Sequence, residues 1–142
     1  MTMLQDDFFV AGTSLQELSA IRSYVSGVLK KSNTNDRIMH ELCLAVDEAC
    51  SNIMLHAKTA ENTAIVISVE CTSTYCKIII KDNAPSFNPM SIESPNMETY
   101  FQKRFHGGLG IEIIKRIIDH VEYEQSREHH SWNTLSLLKY VH

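Results

Sequence analysis

Glu48, Asn52 and His56 recur at every fourth residue, so on a helix they form one polar stripe. Leu42, Cys43, Leu44, Ala45, Val46, Ala49, Cys50, Ile53, Met54 and Leu55 surround them, which makes that helix apolar nearly all round. A carboxylate and a carboxamide in such a setting cost roughly 2–7 kcal/mol per unpaired polar group unless something pairs with them. A metal ion and a ligand are natural partners. Asn52 offers an amide oxygen, a donor that suits Mg2+. The competing reading makes Glu48 and Asn52 ordinary residues on a partly exposed helix. A second group is Gly107, Gly108, Leu109 and Gly110, directly ahead of Ile111-Glu-Ile-Ile. Glycine at a helix start costs about 1 kcal/mol relative to alanine. Three in four positions therefore point to a backbone that closely approaches a phosphate, with a simple hinge as the alternative. Asp82 opens the run Asp82-Asn83-Ala84-Pro85-Ser86-Phe87, either as a turn residue bonding its own backbone or as a ligand contact. Lys103 and Arg104 precede the glycine turn, where they reach a β- or γ-phosphate or stand as a solvated basic pair. His56 has no second His or Cys at ligand spacing and reads as a core hydrogen-bonding residue.

The elements that must position these groups follow from periodicity. Phe8-Phe9-Val10 is a short strand, ended by Gly12. Ser14 with Glu17 forms a capping box for a helix that reaches Lys31, with Leu15, Leu18, Ile21, Tyr24, Val25, Val28 and Leu29 at helical spacing. The polar break 32–36 starts the long helix that ends near Ala57. Thr63 to Cys71 alternates as a strand, Thr72-Ser73 turns, and Tyr75 to Asp82 returns. Pro85, Pro89 and Pro95 interrupt the stretch from Asn83 to His106, and the segment 86–106 reads as a lid between the Asp82 loop and the glycine turn. Helix resumes from Gly108 to Asp119, followed by strands from Val121 to Ser126 and from Trp132 to Val141. The two hairpins and the helices predict an α+β two-layer sandwich, with a mixed, mostly antiparallel sheet and helices on one face.

Length and composition are those of one globular domain spanning 1–142, with 44% apolar and 21% charged residues. A net charge of -4 gives no basic footprint and argues against a nucleic-acid partner. No apolar run approaches the roughly 20 residues that span a bilayer. The first residues lack the basic start and apolar stretch of a signal peptide. Cys43, Cys50, Cys71 and Cys76 contain no Cys-x-x-Cys pair, so zinc and redox motifs are not expected. A cytoplasmic setting fits this pattern.

Glu48-x-x-x-Asn52 on a helix, Asp82 after a strand, and Gly107-Gly-Leu-Gly110 opening a later helix resemble the N, G1 and G2 boxes of the Bergerat-type ATPase fold shared by gyrase, MutL and histidine kinases. The wording LAVDEACSNIMLHA, DNAPSFNP and GGLGIEIIKRIIDHVEYE is most similar to RsbW/SpoIIAB-type anti-sigma factors, which are serine/threonine protein kinases. The resemblance runs from about Phe8 to Tyr140. It implies Mg-ATP as ligand, with Asn52 holding Mg2+, Glu48 accepting the proton of the attacking hydroxyl, and Asp82 reading the adenine amino group. Ala84, Phe87, Lys103, Arg104, Gly107, Gly108, Leu109 and Gly110 would complete the nucleotide site. It further implies a sigma factor and a STAS-domain anti-anti-sigma antagonist as protein partners, and a homodimer. The G1 box is typically Asp-x-Gly-x-Gly, and here Ala84 and Ser86 hold its glycine positions. The alternative is a non-catalytic protein-binding regulator with weakened nucleotide binding.

Overall fold

The computed structural model describes residues 7–57, 63–84, 107–124 and 132–141. Phe87, Lys103, Arg104, the proposed lid 86–106 and the side chain of His56 lie outside the described residues. The chain runs β1 (Phe9–Ala11), a 3-10 turn (Leu15–Glu17), α1 (Leu18–Lys31), α2 (Asp36–Ala57), β2 (Ile65–Cys71), β3 (Tyr75–Asp82), α3 (Gly107–Ile117), β4 (His120–Glu124) and β5 (Asn133–Tyr140). The strands form one sheet in the order β1-β2-β3-β5-β4. Every pairing among the described strands is antiparallel, in line with the expected mixed, mostly antiparallel sheet. The α+β architecture and each expected element are present, with ends displaced by one or two residues.

Strict alternation in β2, β3 and β5 buries one face of the sheet and leaves the other half-exposed. The register makes rows across the buried face. Ile67, Ile80 and Leu135 form one row, and Val69, Ile78 and Leu137 the next. These rows join Ile21, Val25 and Leu29 of α1, Leu42, Val46 and Met54 of α2, and Ile114 of α3 in one core. Full burial of each such side chain contributes about 1.5–3 kcal/mol. The two outermost rows are different: Asp82 faces Asn133 at one end, and Cys71, Cys76 and Lys139 line up at the other.

Local caps set where the helices begin. Ser14 Oγ accepts from Gln16 N at 3.3 Å, while Glu17 Oε1 accepts from Gly12 N at 3.1 Å. The expected capping box therefore closes on Gly12 instead of on the backbone of Ser14, and a 3-10 turn precedes α1. Asn33 takes φ 58°, the left-handed region asparagine tolerates, and ends α1. Asn35 Oδ1 accepts from Ile38 N at 2.8 Å and starts α2. α2 is less enclosed than its sequence suggests. Leu44 is 40% exposed, and Asp47 on the same side binds Arg22 of α1 through two 2.9 Å contacts. Among the described residues no helix is long and apolar enough to cross a membrane.

Candidate functional site

Asn52 sits on α2 with 3% exposure, and neither its Oδ1 nor its Nδ2 has a hydrogen-bond partner. A buried carboxamide normally meets its donors and acceptors inside the protein. Leaving both unmet costs about 1–3 kcal/mol per group. The arrangement fits an external ligand that supplies the missing bonds, and the amide oxygen suits a hard cation. Glu48, one turn earlier, is half-buried on the same helix. Among the described residues no cluster of three or more His, Cys, Asp or Glu could hold a metal by itself.

Asp82 ends β3 with 5% exposure, and its carboxylate is held by a specific network. Oδ1 accepts from Ala84 N at 3.0 Å and from Asn133 Nδ2 at 3.0 Å. Asn133 Nδ2 also donates to Ala84 O at 3.0 Å. Oδ2 accepts no hydrogen bond among the described residues, so the turn-residue role and a free acceptor are combined in one side chain. Burial pushes the Asp82 carboxyl above its ordinary range, and the bonds from Asn133 and Ala84 pull it back part of the way. Cys50 of α2 registers the same charge. Its thiol is pushed up first by burial and then by the Asp47 and Asp82 carboxylates.

Ala84 occupies a position where glycine was the expected residue. Asn33 is the one non-glycine with positive φ among the described residues, so Ala84 has an ordinary backbone conformation. Its methyl group causes no backbone strain there. It is 8% exposed, and it takes part through its amide and carbonyl.

Gly107, Gly108, Leu109 and Gly110 form the first turn of α3, which packs against α2. The first N–H groups of a helix have no partner within it, and they present a partial positive charge. The structure thus places Glu48 and Asn52 on α2, Asp82 at the end of β3 with Ala84 two residues beyond it, and the glycines at the start of the helix that packs on α2. Asn133 is the site residue that sequence reasoning missed. Its signal was the pairing of the 132–141 strand with Tyr75–Asp82, which sets Asn133 opposite Asp82.

A family model described as the histidine kinase-like ATPase domain matches residues 13–139. Proteins named serine-protein kinase RsbW from Staphylococcus aureus strains bovine RF122 / ET3-1 and MRSA252 are each 27% identical to this chain over 135 residues, covering 90% of it and 82% of their own length. Among solved structures, the catalytic domain of histidine kinase ThkA in a nucleotide-free form aligns with a TM-score of 0.50 at 17% identity, over 95% of this chain and 96% of that one. That likeness is one of fold.

Proposed function

Since the chain belongs to the histidine kinase-like ATPase domain family, we propose that it binds Mg-ATP and is a serine/threonine protein kinase that acts as an anti-sigma factor. The observation that carries this reading is Asn52, with both of its amide groups buried and unmatched; Asp82 supports it, since its Oδ2 accepts no hydrogen bond among the described residues. Asp82 Oδ2 accepts from the exocyclic amino group of adenine, and Asn133 and Ala84 N hold Oδ1 so that Oδ2 stays correctly aimed. A guanine carbonyl at the same place meets a second acceptor, so the site prefers ATP to GTP. Asn52 Oδ1 holds Mg2+, whose chemistry is to neutralise phosphate charge during transfer. The N–H groups of the Gly107–Gly110 turn take phosphate oxygens. Glu48 accepts the proton of a serine or threonine hydroxyl on the acceptor protein. The acceptor is a small STAS-type antagonist, and the added phosphate releases it by placing charge in the contact surface. The relatives named serine-protein kinase RsbW support the kinase part of this reading.

Calorimetry with Mg-ATP and Mg-GTP tests it on the full chain. Binding of Mg-ATP in preference to Mg-GTP is expected, with Asp82→Asn weakening it. Absence of heat at millimolar Mg-ATP would leave a regulator that works by protein contact alone.

A further inference from the structure

We propose that Cys71 and Cys76 form a reversible redox-modification site, cycling between dithiol and disulfide by exchange with a low-molecular-weight disulfide, and that the α1–α2 junction responds through Thr34. The sequence pattern contains no Cys-x-x-Cys motif, but the hairpin does what such a motif would do. Cys71 and Cys76 are cross-strand partners with Cα atoms 4.1 Å apart, and their Sγ atoms are joined. The neighbouring pair is hydrogen-bonded, with Thr72 N donating to Tyr75 O at 2.8 Å. Cys71 and Cys76 therefore occupy the adjacent non-hydrogen-bonded position, where facing side chains come closest.

The bridge is poorly placed to be a structural staple. It encloses four residues of a turn that is already closed, because Thr72 Oγ1 accepts from Thr74 N and Tyr75 N, each at 3.1 Å. The benefit of a cross-link grows with the loop it closes, and this loop is nearly the shortest available. Reactivity is a better account. Cys71 retains 9% exposure against 1% for Cys76, so an external disulfide meets Cys71 first. The other two cysteines do not compete. Burial is the largest influence on both Cys43 and Cys50 and pushes each thiol up, which suppresses the nucleophilic form.

The Cys71 thiolate attacks one sulfur of the small disulfide, forms a mixed disulfide and expels one small thiolate. The Cys76 thiolate then attacks the Cys71 sulfur, forms the Cys71–Cys76 bond and expels the second. The two protein protons end on the two small thiols, and two electrons pass from the protein pair to the small disulfide.

Thr34 carries the change to the helices. Its Oγ1 lies 3.6 Å from Cys76 Sγ, while its backbone N donates to Leu29 O at 3.1 Å at the end of α1. With Cys76 bridged, only the threonine hydroxyl can donate across that contact; with Cys76 free, its thiol can donate as well. The contact is six residues along β3 from Asp82, about 20 Å at the usual rise of a strand, so the proposal stands apart from the nucleotide reading.

The test uses the full chain, first reduced with a phosphine, then equilibrated in graded mixtures of reduced and oxidised glutathione and quenched with N-ethylmaleimide. Mass spectrometry is expected to show a single transition in which Cys71 and Cys76 lose their labels together and the chain loses about 2 Da. Hydrogen exchange over 32–36 is expected to differ between the two ends of that titration. Labelling of both cysteines at the most oxidising ratio overturns the proposal. So does a bridge to Cys43 or Cys50, or a bridge that persists at the most reducing ratio. Identical exchange over 32–36 in the two states removes the role of Thr34. The unmutated chain carries every readout, so a variant that fails to fold does not obscure the answer.

Discussion

At one end of the buried sheet face Asp82 and Asn133 stand opposite each other on β3 and β5; at the other end Cys76 and Lys139 do. Both ends put polar atoms where the middle rows put isoleucine, valine and leucine. They resolve the cost in opposite ways. At the lysine end charge meets charge within the chain: Lys139 Nζ donates to Ile117 O at the end of α3 and forms an ion pair at 3.2 Å with Glu41 Oε1 of α2, an oxygen that has no partner in hydrogen-bond geometry. At the aspartate end Asp82 Oδ2 accepts no hydrogen bond among the described residues, and on α2 both amide groups of Asn52 are unmatched. A polar group that closes on the protein specifies how helices dock on the sheet. One that stays open after folding marks where something else must bind.

The comparison can be broken most sharply at Glu48. If the open end is catalytic, Glu48→Gln slows phosphoryl transfer to the antagonist by about 10²–10⁴ and leaves Mg-ATP affinity within a few fold. Single-turnover transfer and calorimetry separate the two quantities, and an unchanged rate removes Glu48 from the chemistry. At the closed end the loss is one of stability. Lys139→Met strands Glu41, whose Oε1 already lacks hydrogen-bond geometry, and costs about 2–3 kcal/mol, moderated by the partial exposure of Glu41. Chemical denaturation should show most of that loss recovered in the double variant with Glu41→Leu.

The opposite sign is expected at Asn52. Asn52→Leu replaces two unmatched polar groups by an apolar side chain of similar size. The free protein is expected to melt higher, by about 1 kcal/mol or a few degrees, while the stabilisation by Mg-ATP disappears. A melting temperature that falls would mean that Asn52 has protein partners after all. The smallest effect is the proton linkage of Asp82. Burial raises its folded-state value above the unfolded one. The protonated form therefore favours folding: its contribution is complete below the ordinary aspartate range and is lost as pH rises through the raised folded value. Relative to Asp82→Asn, which does not titrate, the unmutated chain should lose stability across that window. Asn133→Ala should move the window to higher pH, because the bond it removes favours the charged form. Denaturation at a series of pH values reads both shifts.

Much of this contrast was legible before any coordinates. The polar stripe on α2 is a local pattern, the alternation from Thr63 to Cys71 marks that strand and its buried face, and Tyr75 to Asp82 follows it as the returning strand. Asn133, Lys139 and the Cys71–Cys76 pair were not legible, for a shared reason. Each matters only through a cross-strand neighbour or a carbonyl elsewhere in the chain, and register is decided by packing of the whole face. Cys71 and Cys76 stand at neither metal nor redox spacing in sequence, and the hairpin turn brings their wider spacing together. Helix and strand ends shifted because caps such as Glu17 on Gly12 depend on side-chain choices that propensity does not order.

The bond between Asn133 and Asp82 also bears on how the protein is made. Its partners are 51 residues apart in sequence, and β3 cannot be enclosed between β2 and β5 until β5 has been synthesised. A nascent chain that has already emitted Asp82 from the ribosome still lacks the group that aims it. On the nucleotide reading, ATP then has no fully formed anchor to capture early. Ligand-assisted folding begins only once β5 has emerged, and the growing chain must depend on its own hairpin and helices until then.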